Sequence, residues 1–93
     1  MDRMDFEWDE TKRRINLHKH KIDFRDAEEV LAGETITVED VDAYNEQRFL
    51  SLGLLRSHVV VVAHTERAGR TRIISMRKAV KHEREFYFAC FQH

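Results

Sequence analysis

The sequence predicts an α+β domain: two N-terminal helices, a small antiparallel sheet built as a meander with an extra strand, and a C-terminal helix packed across it. Three observations carry this. Between residues 10 and 31, apolar side chains recur at helical spacing behind Asp9 and Asp23, two residues suited to N-caps. Between 34 and 76 the pattern changes to alternating or continuous β-branched runs separated by short polar turns. After 77 helical spacing returns.

The totals bound the rest. Ninety-three residues suit one small domain spanning 1–93, and 42% hydrophobic with 35% charged residues is a globular composition. The longest apolar run, Val59 to Ala63, is strand length and far short of a membrane span. The acidic N-terminus has no apolar segment of the signal-peptide kind. A single cysteine, Cys90, has no partner for an internal disulfide. Together these predict a cytoplasmic protein. The net charge of −1 hides an asymmetry. Residues 1–47 carry 14 acidic and seven basic side chains, whereas residues 48–93 carry three and nine. A basic half suits a polyanion or an acidic partner, and equally suits neutralisation by the acidic half within the fold.

Taken in order, Met4 to Trp8 reads as a short strand with Phe6 and Trp8 on one face. Asp9 caps a helix from about Glu10 to His18 or His20, with Ile15 and Thr11 expected inward. Its polar face is dense in Lys12, Arg13 and Arg14, which is ordinarily a solvated surface. Lys19, His20 and Lys21 close it, where cations favour the negative end of the helix dipole. His18 and His20 subtend about 200° on a helix and point apart, so no metal site is expected. Asp23 caps a second helix, Phe24 to Leu31, with Phe24, Ala27, Val30 and Leu31 inward and Gly33 ending it. Glu34 to Val38 alternates as a half-buried strand, and an acidic loop, Glu39 to Asp42, follows.

Glu46 to Leu55 forms the next strand, with Arg48, Leu50, Leu52 and Leu54 on one face. Arg56-Ser57 turns the chain into His58 to Thr65, whose four consecutive valines read as a strand covered on both faces. A second turn, Glu66 to Arg70, uses Gly69 for a positive φ. Thr71 to Met76 is the last strand, and Ser75 is placed to cap a helix from Arg77 onward. On that helix Glu83 falls between Ala79/Val80 and Tyr87, on the inner stripe. A carboxylate there needs a partner, and Arg72 and Arg77 are the nearest cations. Cys90 shares the stripe and reads as a buried small hydrophobe. Phe86, Tyr87, Phe88 and Phe91 occupy more than one face, and the surplus suggests a partner surface.

The chemistry is narrowed by what is missing. The chain has no Gly-rich phosphate loop, no C-x-x-C and no G-x-S-x-G. There remain the cations Lys19, Arg48, Arg67, Arg70, Arg72 and Arg77, with His20 and Glu46 as proton carriers. Cleavage of RNA needs little more. The substrate's 2′-hydroxyl is the nucleophile. The protein moves two protons and stabilises a dianionic phosphorane, work that a histidine among lysine and arginine can do.

Three stretches add a resemblance. They are F-E-W-D-E-T-K-R-R-I-N-L-H-K-H-K-I-D-F-R-D-A-E-E-V at 6–30, N-E-Q-R-F-L-S-L-G at 45–53, and H-T-E-R-A-G-R-T-R-I-I-S-M-R-K-A-V-K-H-E-R-E-F-Y at 64–87. W-D-x-x-K-x-x-x-N-x-x-K-H followed by R-I-I-S-x-R-x-A-x-x-x-E is a specific combination. The chain resembles the BrnT toxins of BrnT/BrnA type II toxin–antitoxin systems of bacteria. The resemblance implies a RelE-like fold and a metal-independent endoribonuclease that inhibits translation and needs no cofactor. It also implies a BrnA-type antitoxin partner with a ribbon-helix-helix DNA-binding region. DNA would be engaged only through that antitoxin. The family pattern falls on Trp8, Asp9, Lys12, Asn16, Lys19, His20, Phe24, Glu46, Arg48, Gly53, Arg72, Ser75, Arg77, Ala79 and Glu83. The catalytic assignment it supports is His20 as general acid or base, Glu46 as a second proton carrier, and Lys19, Arg48 and Arg77 on phosphate. Lys12, Arg67, Arg70 and Arg72 are assigned to RNA binding, and Arg72 with Glu83 to an internal pair. Lys21 stands where glycine would be expected at the helix exit.

Overall fold

The computed structural model describes residues 5–40 and 46–91. Strand β1 (Asp5–Trp8) leads into helix α1 (Glu10–His20), then a 3₁₀ turn (Phe24–Asp26) and helix α2 (Ala27–Ala32). Strands β2 (Ile36–Glu39), β3 (Phe49–Leu55), β4 (His58–Arg67) and β5 (Arg70–Lys78) follow, and helix α3 (Lys81–Cys90) closes the chain. The strands form one sheet in the order β1-β5-β4-β3-β2. The sheet is mixed, not purely antiparallel, because β1 pairs with β5 in parallel. Some 60 residues separate these two strands, so no hairpin dictates their relative sense.

The four valines lie in β4, at the centre of this sheet, and supply both faces. Val60 and Val62 join Ile22, Phe24, Ala27, Val30, Ile73 and Met76 in a core beneath α1 and α2. Val59 and Val61 join Leu52, Ala79 and Tyr87 in a second core beneath α3. Burying each such side chain contributes about 1.5–3 kcal/mol, which is why this run admits no polar residue. Gly53 lets α2 approach: a Cβ on it would stand 2.8 Å from Val30 Cγ1 and 3.1 Å from the Val30 carbonyl oxygen. At the β4–β5 turn, Ala68 and Gly69 both take positive φ, 51° and 78°. That is the twist a two-residue hairpin needs.

Several expectations are corrected. Ile15 points to solvent and is 61% exposed, and Thr11 is exposed too. The buried residue of α1 is Asn16. β1 pairs only with Arg70 to Ile73, which leaves the second half of that β5 edge without a strand. Asn16 fills the gap. Its Nδ2 donates to the Met76 carbonyl at 2.9 Å and to the Ile22 carbonyl at 3.1 Å, and its Oδ1 accepts the Met76 N–H at 3.2 Å. One side-chain amide thus substitutes for a neighbouring strand.

Ser75 is not a helix cap. β5 continues to Lys78 because Val61 and Val60 still offer partners to Arg77 and Lys78. The helix starts at Lys81 behind an extended Val80, whose N–H donates to Glu83 Oε1 at 2.9 Å. Met76 and Ala79 therefore belong to the strand and its exit, not to a helical stripe. Cys90 is exposed rather than buried. Val38 is exposed as well, so β2 is less covered than its alternation predicts. Gly33 ends α2 with φ −92°, an extended conformation and not a left-handed one. The acidic stretch at 39–42 is described only through Asp40, and Met4 and Asn45 also lie outside the described residues. No described helix is long and apolar enough to cross a membrane.

The left-handed residue at a helix exit is Lys21, with φ 62° and ψ 27°. A side chain in that region costs on the order of 1 kcal/mol, which glycine avoids. Lys21 recovers part of this through Nζ, which donates to the His18 carbonyl at 2.8 Å. Lys21→Gly is therefore expected to raise stability by about 0.5 kcal/mol, read as a small upward shift of the urea midpoint.

Candidate functional site

The free half of the β5 edge is where the chemistry gathers. Asp9 starts α1 by accepting the Lys12 N–H on its Oδ1 at 3.0 Å. Arg13 pairs with Glu10 within the helix and ties the helix to Asp23 at 3.0 Å. Asn16 locks it to Met76. Lys12, Ile15 and Lys19 are among the exposed residues of the helix, and its last turn carries Lys19 and His20 towards the end of β5.

There, Lys19 and His20 line an open cleft with Arg77, Lys78, Val80, His82 and Glu83. A neighbouring depression shares Lys19 and His20 and adds Lys12, Ile15, Ile74 and Ser75. The two hollows share Lys19 and His20 and so lie side by side, one along α1 and β5, the other between α1, the end of β5 and the first turn of α3. Of the residues that line the cleft, Lys19, Arg77 and Lys78 are cationic and Glu83 is the one carboxylate.

Glu83 is not available for proton transfer near neutrality. Arg77 grips it with both terminal nitrogens, Nη1 to Oε1 at 2.8 Å and Nη2 to Oε2 at 2.9 Å. The guanidinium hydrogen bonds, aided by the Val80 N–H, hold its carboxyl at about 2, and the same pairing raises Arg77. The internal pair is thus Arg77 with Glu83, not Arg72 with Glu83. Arg72 instead donates to Glu7 on β1 at 3.0 Å. The strand register explains the swap: Arg72 is opposite Glu7, whereas Arg77 lies two residues past Ser75, beneath the start of α3.

This coupling has a pH signature. Glu83 ionises at about 2 in the folded chain against 4.5 ordinarily. The stability it contributes is complete above pH 4.5 and disappears as the pH falls through about 2. Allowing for solvent screening of the partly exposed Arg77, the contribution is about 2 kcal/mol. Glu83→Gln is expected to be less stable than the parent by that amount at pH 7. The gap should close towards pH 2, as urea titrations at a series of pH values would show.

The structure separates the remaining candidates from this cleft. Glu46 and Arg48 pair with each other at 3.1 Å before β3, two strands across from β5 and at the opposite end of the sheet from Arg77, since Phe49 is opposite His64 and His64 opposite Ile73. Arg67 and Arg70 flank the β4–β5 turn, and Arg70 reaches Glu7 at 3.7 Å. Arg70 and Arg77 are seven residues apart along one strand, roughly 20 Å, too far to share one phosphate. Of the sequence-derived residues, then, Lys12, Lys19, His20 and Arg77 come together, while Glu46, Arg48, Arg67, Arg70 and Arg72 do not.

Two features escaped the sequence reading. One is Lys78 with His82, which border the cleft because β5 is longer and α3 begins later than expected. The other is a polar chain across the sheet, buried at Ser51, His64 and Thr71 and exposed at Thr37 and Glu66. Thr37 Oγ1 and Ser51 Oγ share a hydrogen bond at 2.7 Å, Ser51 and His64 Nε2 one at 2.8 Å, and His64 Nδ1 and Glu66 Oε2 one at 3.0 Å. Thr71 donates to the other Glu66 oxygen at 2.9 Å. The Ser–His–Glu order resembles a nucleophilic triad, but Ser51 is only 1% exposed and no substrate reaches it. Its chemistry is structural: it satisfies polar groups across four strands. Among the described residues, no cluster of three or more His, Cys, Asp or Glu side chains is arranged to hold a metal.

An α+β domain of this size, with lysines and histidines around an open cleft whose one acid is neutralised by arginine, is suited to hold a phosphate-bearing ligand. Its family is narrower. The model for the ribonuclease toxin BrnT, of type II toxin–antitoxin systems, matches residues 8–83, and the chain belongs to that family. The crystal structure of the Brucella abortus ribonuclease toxin BrnT is similar, with a TM-score of 0.64 and 26% identity over 85% of this chain and 100% of that one. None of the curated proteins compared matches the chain.

Proposed function

We propose that this chain is a metal-independent endoribonuclease that cleaves RNA by attack of the substrate's own 2′-hydroxyl, and so inhibits translation. A BrnA-type antitoxin with a ribbon-helix-helix DNA-binding region would neutralise it by covering the cleft. The observation that supports this best is the shared cleft of Lys19, His20, Lys78 and His82, with Glu83 already neutralised by Arg77. One histidine takes the 2′-proton as that oxygen attacks phosphorus. The other protonates the departing 5′-oxygen, leaving a 2′,3′-cyclic phosphate. Lys19 and Lys78 stabilise the phosphorane. His82, which lines the cleft, is better placed than Glu46 to be the second proton carrier. Arg77 cancels the charge of Glu83 and through it holds the start of α3 in place.

One observation favours a second reading. Both terminal nitrogens of Arg77 are committed to Glu83, so a fork expected on phosphate is closed. A non-catalytic module that binds its antitoxin and modulates DNA binding would need no free fork. Expression of the chain alone in bacteria, with growth and RNA integrity followed, separates the two. The nuclease reading expects growth arrest with RNA cleavage, and cleavage by purified protein that persists in a metal chelator. A soluble, folded chain that arrests nothing and cleaves nothing would move the conclusion to the binding module.

A further inference from the structure

We propose that Phe86 is a base-stacking residue that extends the cleft by about one nucleotide, so that the ligand is single-stranded. This rests on the reading of the ligand as RNA. Phe86 is 48% exposed on a helix whose rotation is set from within. Tyr87 is buried in the second core and donates its hydroxyl to the Glu34 carbonyl at 2.7 Å, and Glu83 is held by Arg77. With positions 83 and 87 turned to the protein, 82 and 86 share one outer flank, a single turn apart. His82 already lines the cleft beside Lys19 and His20. Phe86 therefore continues the same wall.

The other exposed phenyl does not. Phe88 lies about 200° around the helix from Phe86 and borders a separate small pocket with Ser57, His58 and Arg84. The occupant of Phe86's flank is indicated by its neighbours. An aliphatic or acidic protein segment would explain an exposed phenyl or a cationic surface, one at a time. A nucleotide explains both at once, because its phosphate takes the cations and its base takes the π-face. A base held this way must be unpaired, which restricts the substrate to single strands and loops.

The test uses the full chain and a 2′-O-methyl RNA oligonucleotide, which has no attacking hydroxyl and survives the titration. Phe86→Leu is expected to weaken binding by about 5- to 150-fold, the range for loss of one base stack. Phe88→Leu should change it less than about twofold. Phe86→Trp should bind as the parent does, with tryptophan fluorescence quenched by the bound base beyond any change from the native Trp8. Binding undiminished in Phe86→Leu, with no added quenching in Phe86→Trp, would overturn the proposal even though the parent binds. Loss of antitoxin binding in Phe86→Leu with unchanged oligonucleotide affinity would also overturn it, assigning the phenyl to a protein surface. If the parent binds no oligonucleotide, the RNA reading itself fails first, and the two failures are distinct.

Discussion

His20→Gln is expected to reduce RNA cleavage by about 10²- to 10⁴-fold, the usual loss when a general acid–base group is removed. Glutamine keeps a polar side chain at the position and cannot carry the proton. The substitution should leave the fold alone. His20 is half-buried at the last turn of α1, and no described residue hydrogen-bonds its ring, so the change in stability should stay within about 0.5 kcal/mol. Single-turnover cleavage of a defined RNA, beside urea denaturation of the same preparation, reads both quantities. Lost cleavage in a protein of unchanged stability would place the chemistry in this cleft. Retained cleavage would remove His20 from the mechanism and return attention to Glu46 and Arg48, which sit together at the other end of the sheet.

Much of the framework was legible in the sequence because its signals are local. Asp9 caps α1 and Asp23 caps the 3₁₀ turn that leads into α2, since a cap needs only residues two or three positions away; α2 itself starts later, behind Asp26 and without a side-chain cap. The β3–β4 and β4–β5 turns are likewise set by the residues within them. The site was half legible for the same reason. Lys19 and His20 are neighbours on one helix, and their joint presence in the cleft follows from the chain itself. What escaped depends on contacts between distant segments. A parallel β1 leaves part of an edge unpaired, and only that vacancy makes a buried Asn16 sensible and an exposed Ile15 tolerable. The strand runs past the point where helical spacing begins in the sequence, because Arg77 and Lys78 continue a ladder with Val61 and Val60, a constraint set in β4. That displacement hid His82 and exchanged Arg72 for Arg77 as the partner of Glu83.

Asn16 is where the largest loss of stability is expected. Its side chain satisfies the Met76 N–H, the Met76 carbonyl and the Ile22 carbonyl, all in an interior where Asn16 itself is 7% exposed. Asn16→Leu preserves the size of the side chain and leaves three buried backbone groups without partners. Each such group costs about 1–3 kcal/mol, so a total of at least about 3 kcal/mol is expected. A domain of this length has roughly 5–14 kcal/mol in all. Thermal unfolding should show it as a fall of at least 12 °C or so. Asn16→Asp separates hydrogen bonding from shape. It can still accept from the Met76 N–H, but it sets a carboxylate oxygen against two carbonyls and should be no better than leucine. Ile15→Ser, one residue away on the exposed face, should change stability by less than about 0.5 kcal/mol, although apolar spacing alone ranks Ile15 as the core residue. If Asn16→Leu proved as stable as the parent, α1 would not be held to the β5 edge by this amide. The register that brings Lys19 and His20 to Arg77 would then need another cause.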